Sequence, residues 1–530
     1  MHRCLRTSEI ASIISSYLED ARAFGSLAAL ASSCRALEAP ALDALWRTQD
    51  GYANLMQCLP SHLWILEENG PISSLNLLQP IISPEFPRFL EYSSRIRKLT
   101  VVPSDTAGST VVKVHPDLLQ VVAASVEGPL LPNLQRLVWV TSDDSEYISL
   151  PAFLGPRLRY LRLSLKGGEL IGLSLLHLLG KCSSLVELIL EYPNSSPPPS
   201  LARSISNIIP KLQSLQKLEI PVLDPNGFPL LASLPALKSL TIGHPDSLFT
   251  SSNPFNCTFR TLVTLSVFVR TLNDAIRILQ TLRQSPTASI IVWMKQTPVA
   301  TAWLGFFQAI QNCCQKNHLK TLTVSAGTVR QLAQVPDHVV PSSCFDCILP
   351  FTKMQIFGMR VAGIEMTDSL LQQISDAWPL LKRFAHSPRA RTLTSPHFTP
   401  AVTLLGLRYL AEHCAQLSFL GIEFQTTGVE ANTNARPGSG ISNRNLKSLS
   451  VGHSSITEPI PVAAFLSDIF PALQTLRCDE RMAEDDKSRW GQVMELVKWF
   501  VIVRQQERSS MASSFEIAES SSLDLSLSQQ

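Results

Sequence analysis

Along most of the chain one short pattern returns: apolar, two mostly polar residues, apolar, one variable residue, apolar. It appears at Ile72-Leu75-Leu77, Ile96-Leu99-Val101, Leu134-Leu137-Trp139, Leu158-Leu161-Leu163, Leu185-Leu188-Leu190, Leu215-Leu218-Ile220, Leu237-Leu240-Ile242 and Leu262-Leu265-Val267. It resumes at Leu319-Leu322-Val324, Phe351-Met354-Ile356, Leu417-Leu420-Ile422, Leu446-Leu449-Val451 and Leu473-Leu476-Cys478, with degenerate copies near Ile290-Val292 and Leu381-Phe384. The polar pairs inside it, such as Gln135-Arg136, Gln216-Lys217 and Lys447-Ser448, are what a short strand with one wet face requires. Copies recur at intervals of roughly 20 to 40 residues, the range of stacked repeats.

Between the strands lie stretches with helical spacing: 170–182, 200–209, 273–284, 301–316, 367–378, 400–414 and 461–470. Strand followed by helix, many times over, predicts an α/β solenoid in which parallel strands line one side and helices the other. A doubly wound α/β enzyme would alternate in the same way, but needs a glycine-rich turn after an early strand, and none is present. On the wet face, the positions between buried strand residues are candidates for a binding surface: Arg136, Tyr160, Arg162, Glu187, Glu191, Lys217, Glu219, Phe268, Phe357, Glu423 and Arg477. Their charges are mixed, which fits a protein or peptide partner and not a phosphate backbone.

The first fifty residues follow another rhythm. Ile10, Ile13, Ile14, Tyr17 and Leu18 fall on one helical stripe, with Thr7 or Ser8 placed to cap it and Glu9 near its positive end. After a break at Glu19-Asp20, Leu27, Leu30, Ala31 and Cys34 form a second, small-residue stripe; beyond Pro40, read as lying in a first helical turn, Leu42, Leu45 and Trp46 form a third. Three short helices bury little alone, so apolar surface is left for a partner.

The stretch 26–47, with its small-residue helix, Cys34-Arg35 pair, Pro40-Ala41-Leu42 step and Leu45-Trp46-Arg47 end, resembles the second half of the F-box found in many fungal proteins. The resemblance spans about residues 2–50; where most F-boxes open with Leu-Pro, here Leu5 is followed by Arg6 and Thr7, and Leu37 stands where a Trp is common. It implies docking onto a Skp-type adaptor, and through it onto a cullin scaffold, by Leu5, Ile10, Ile13, Ile14, Leu18, Leu27, Leu30, Cys34, Arg35, Leu42 and Trp46. The repeats resemble an irregular leucine-rich-repeat array, of the kind that often follows an F-box. Together the resemblances imply a substrate-recognition subunit of a ubiquitin ligase; the alternative is an interaction solenoid whose F-box no longer serves a ligase.

The resulting organisation is a helical domain at 1–50, a connector at 51–70, the array at 71–483, a capping helix at 484–508 built on Trp490, Val493, Met494, Val497, Phe500 and Val501, and a disordered Ser-rich tail at 509–530. The net charge of +2 and the 17% share of charged residues provide no basic field, so no nucleic-acid partner is expected. No long apolar run suggests a signal peptide or membrane span, and the 11 scattered cysteines read as reduced thiols of a cytoplasmic or nuclear protein. The lone pair Cys344 and Cys347 lacks further zinc ligands, and the Pro437-Gly438-Ser439-Gly440 run sits in a polar insert, not after a strand. No phosphate-binding, nucleophile-elbow or metalloprotease motif is found. No catalytic residue, metal or cofactor is expected.

Overall fold

The computed structural model describes residues 7–69, 72–79, 86–102, 111–141, 147–165, 179–192, 197–224, 226–243, 257–283, 285–327, 336–386, 400–427 and 438–527. The chain divides into two units, Met1–Leu262 and Val263–Gln530.

In the first unit three helices, α1 (Ser8–Asp20), α2 (Phe24–Ser33) and α3 (Arg35–Arg47), lead directly into strand Thr48–Asp50. That strand starts a parallel sheet continued by Lys98–Val101, Arg136–Trp139, Tyr160–Ser164, Glu187–Glu191, Lys217–Ile220 and Ser239–Ile242. Leu99, Leu137, Leu161, Leu188, Leu218 and Leu240 stand opposite one another across this ladder, all facing the core. The second unit repeats the scheme over Thr264–Val269, Ser289–Met294, Thr321–Ala326, Ile356–Arg360, Arg383–His386, Phe419–Gly421, Ser448–Gly452 and Thr475–Cys478. Helices 272–281, 300–313, 368–377, 404–413 and 459–469 lie between its strands, within a few residues of the stretches marked by helical spacing.

One backbone contact recurs along the ladder and falls on the two residues between the first and second apolar positions of the motif. The carbonyl of Arg97 accepts the N–H groups of both Gln135 and Arg136; Gln135 then accepts from Arg159 and Tyr160, Arg159 from Val186 and Glu187, and Val186 from Gln216 and Lys217. The second unit does the same from Val263 through Ala288, Lys320, Gln355 and Lys382. Each of these steps hands its entry turn to the next, so the backbone entering these strands is satisfied by the preceding step.

Several expectations are corrected. The Ile72-Leu75-Leu77 copy is not in the main ladder: strand Ile72–Leu77 pairs antiparallel with Trp64–Asn69 and parallel with Val111–Val114 in a separate three-stranded sheet. The stretch 51–70 carries helix Ala53–Met56 and strand Trp64–Asn69 in place of a plain connector. Helix α3 begins at Arg35, so Pro40 lies inside it and not in its first turn; its missing N–H removes one intrahelical bond. Thr7 occupies the N-cap of α1 without a side-chain cap bond. The helix from Glu484 runs to Leu527, through the segment expected to be disordered. That segment contains neither Gly nor Pro, so a helix already nucleated meets no breaker there. Most of the expected helix at 170–182 lies outside the described residues; Leu179–Lys181 form a 3-10 turn.

The cores are aromatic at their centres. In the first unit Tyr52, Trp139 and Phe153 meet at 5.3–6.0 Å between ring centres. In the second, a chain of rings runs Trp303, Phe307, Phe345, Phe357, and Phe357 touches both Trp378 and Phe384, at 5.2 and 5.5 Å.

Candidate functional site

Three surfaces bring together residues that could bind. The first is on the N-terminal helices. Helices α1, α2 and α3 pack on one another through small or modest side chains, Ala11, Ser15, Leu27, Leu37, Ala41 and Ala44, all buried. This leaves the bulkier apolar residues outside: Ile13 is 55% exposed and Tyr17 71%, with Ile10 and Phe24 also exposed. Ile14, Leu18, Leu30, Cys34, Leu42 and Trp46 are half-buried, Arg35 is exposed, and Leu5 lies outside the described residues. Leu27, expected at the contact, is instead fully buried between the helices. Trp46 stacks on Tyr92 at 4.5 Å and 10°.

This small bundle is tied to the first strand and to the helix beside it. Glu19 accepts from Arg47 at 2.8 Å and from the Thr48 hydroxyl at 3.1 Å, joining α1 to the first strand. Arg95 binds the Asp43 carboxylate and the Glu91 carboxylate, joining α3 to helix Pro87–Arg95. With the Trp46 stack, these contacts hold α3 against helix Pro87–Arg95 and α1 against the first strand.

The second surface is the wet face of the strands. In the first unit Arg136 is exposed, and Tyr160, Arg162, Glu187, Glu191, Lys217 and Glu219 are half-buried on that face. They partly satisfy one another: Arg136 sits 3.5 Å over the Tyr160 ring and Arg162 meets Glu191 at 2.6 Å. In the second unit Phe268 and Trp293, opposite in register and each 37% exposed, stack at 4.4 Å. Arg383 lies 3.9 Å over Phe419, and Arg477 is exposed on the last strand.

Two expected positions are not on this face. Phe357 is fully buried at the hub of the aromatic chain, because the motif lies three residues on from the expected frame, an odd shift that exchanges the two faces: Leu322 pairs with Phe357 and Val324 with Met359. The true copy there is Met354-Phe357-Met359, which puts Ile356, Gly358 and Arg360 outside. Glu423 is 5% exposed, since alternation stops after Gly421 and the chain is covered on both sides. Trp293, Arg360, Arg383 and Phe419 escaped the sequence reading. Arg383 and Phe419 occupy the same motif position as Arg136 and Tyr160, so the rule applied to every copy, Leu417-Leu420-Ile422 and the degenerate Leu381-Phe384 alike, would have found them.

The third is a cavity of about 370 Å³ in the second unit, lined by Ser342, Ile364, Glu365, Met366, Thr367, His386, Pro400, Ala401, Val402 and Glu423. Glu423 is held there by the backbone N–H of His453, which it accepts at 2.9 Å. Gly452 permits this: its φ is +57°, and a Cβ would come within 2.6 Å of the glutamate. His386 is buried, and desolvation pushes its pKa down to about 4 against the opposing bond to the backbone of Met359. The ring is therefore neutral.

Burial raises the thiols of Cys344 and Cys347, and takes Cys182 up to about 11 and Cys414 up to about 12, which makes them poor nucleophiles at neutral pH. Among the described residues no group of three or more His, Cys, Asp or Glu is placed to hold a metal ion. No described helix is long and apolar enough to cross a membrane. No protein-family model matches the chain, and no curated protein matches it significantly.

Proposed function

We propose that the chain is the substrate-recognition subunit of a Skp–cullin–F-box type ubiquitin ligase. Its N-terminal helices dock on the Skp-type adaptor, and its repeats, acting as a leucine-rich-repeat-like solenoid, hold a protein substrate on the wet strand face. The observation that carries the reading is the uncovered apolar set Ile10, Ile13, Tyr17 and Phe24 on a three-helix bundle that is tied to the first strand and to helix Pro87–Arg95. A bundle whose interior is mostly small residues and which leaves four large apolar side chains outside has an apolar surface suited to a partner.

In this role no residue of the chain performs chemistry. The ligase works by proximity: a braced bundle keeps the bound substrate at high effective concentration near the transfer machinery, and a floppy joint would dilute that gain. The strand face offers stacked aromatics and self-paired charges, Phe268 with Trp293 and Arg162 with Glu191, the mixture that suits a protein surface.

The test is reconstitution of the full chain with its host's Skp-type adaptor and a cullin, followed by size-exclusion chromatography. Co-elution in a defined stoichiometry is the expected result. Separate elution of the folded chain would favour the second reading, an interaction protein outside any ligase. The burial of Leu27, one of the resemblance's contact residues, supports that second reading.

A further inference from the structure

Strand Arg383–His386 ends on a residue that its pattern does not call for. In register with His386 on the neighbouring strands stand Met359, Val324 and Val292, all buried and apolar. His386 is also buried, at 6% exposure, and its Nδ1 has no hydrogen-bond partner among the described residues. The ring's bond to the Met359 backbone favours protonation, so the ring donates it; in a neutral imidazole the remaining nitrogen, Nδ1, is then a bare acceptor. An unpaired buried polar atom costs about 1–3 kcal/mol, which a methionine at this position would avoid. A fold that keeps such a residue at one step of a regular ladder is giving up stability where function commonly resides.

His386 borders the 370 Å³ cavity, which is within the size range of small-ligand sites. Beside the Ser342 and Thr367 hydroxyls, the charged groups of the cavity are all of one sign. Glu423 forms part of its buried wall, Glu365 stands at its exposed mouth, and no Lys or Arg is among its described lining residues. Ile364, Met366 and Val402 supply a buried apolar wall. Such a site is matched by a group that only donates and carries positive charge, attached to an apolar body; a buried cation is tolerated where carboxylates and acceptors meet it.

We propose that this cavity binds the ammonium head of an alkyl- or arylamine, with His386 and the two glutamates receiving its N–H groups and Ile364, Met366 and Val402 covering its stem. The amine is either a free small molecule or the side chain of a lysine on a bound protein. The inference goes beyond adaptor docking and does not depend on it.

The full-length chain would be titrated calorimetrically with phenethylamine, with the neutral isostere 2-phenylethanol, and with an end-blocked Ala-Lys-Ala peptide. The same titrations would be run on His386→Met and Glu423→Gln. Saturable binding of at least one amine is expected, with 2-phenylethanol at least ~10-fold weaker. His386→Met should weaken the amine by at least ~10-fold while melting at or above the parent's temperature at neutral pH. Preference for phenethylamine would identify a free amine as the ligand, and preference for the peptide a protein lysine. Absence of amine binding by the folded parent would overturn the proposal. So would equal binding of the alcohol, undiminished binding by His386→Met, or a lower melting temperature of that variant, since each would make the histidine a structural residue.

Discussion

His386 links burial, protonation and stability in one side chain. Its pKa lies near 6.5 in the unfolded chain and about 4 in the folded one, so between these values the unfolded state holds the extra proton. Stability is therefore complete above about pH 6.5 and falls as pH drops towards 4, by on the order of 3 kcal/mol. Urea titrations across this range should show that loss in the parent, and His386→Met should flatten the part due to this residue. Phe357 gives the complementary test. Placed among Phe345, Trp378 and Phe384, it is a core residue, so Phe357→Ala should cost about 3–5 kcal/mol in chemical denaturation. Trp293→Ala, on the open face, should cost far less, and under the proposed function should act instead on binding of the protein substrate. A reversed order of the two destabilisations would place the aromatic chain on the wrong side of the sheet.

At the scale of the element, the last helix closes an edge. Trp490 is buried, donates its indole N–H to the Ser454 carbonyl at 2.7 Å and meets Phe424 edge-on, while Val493 and Val497 are buried beside it. Arg504 continues the contact by donating to the Ala464 carbonyl at 3.0 Å. Deleting the chain from Glu484 onward should therefore lower the melting temperature and expose apolar surface to a hydrophobic dye, whereas deletion from Ser510 should change neither appreciably. The stripe that closes this edge could be read from Trp490, Val493 and Val497 because it has strict helical spacing. The register of Ile356–Arg360 could not, because Phe351, Met354, Ile356, Phe357 and Met359 fit the motif in two frames. The core's choice of Phe357 over Ile356 rests on aromatic neighbours that are distant in sequence. The same holds for the cavity: His386, Glu365 and Glu423 are brought together by strand stacking, and no local spacing joins them.

At the scale of the whole molecule, alternation of short strands and helices was legible because each step repeats the same small problem, a leucine ladder and a shared carbonyl. The N-terminal bundle was legible as three helices but not in its orientation: small residues such as Ala11, Ala41 and Ala44 took the interior, since three short helices pack closest through them. That orientation is what turns Ile13 and Tyr17 outward and makes adaptor docking physically reasonable. The most direct measurement is a calorimetric titration of the full chain with its host's Skp-type adaptor, beside Ile13→Asp/Tyr17→Asp. Both substituted positions are exposed, so the variant should fold as the parent does by circular dichroism. Tight binding by the parent and a loss of at least ~100-fold, about 2.7 kcal/mol, in the variant is the expected result; a folded parent that does not bind, or a variant that binds equally well, would contradict it.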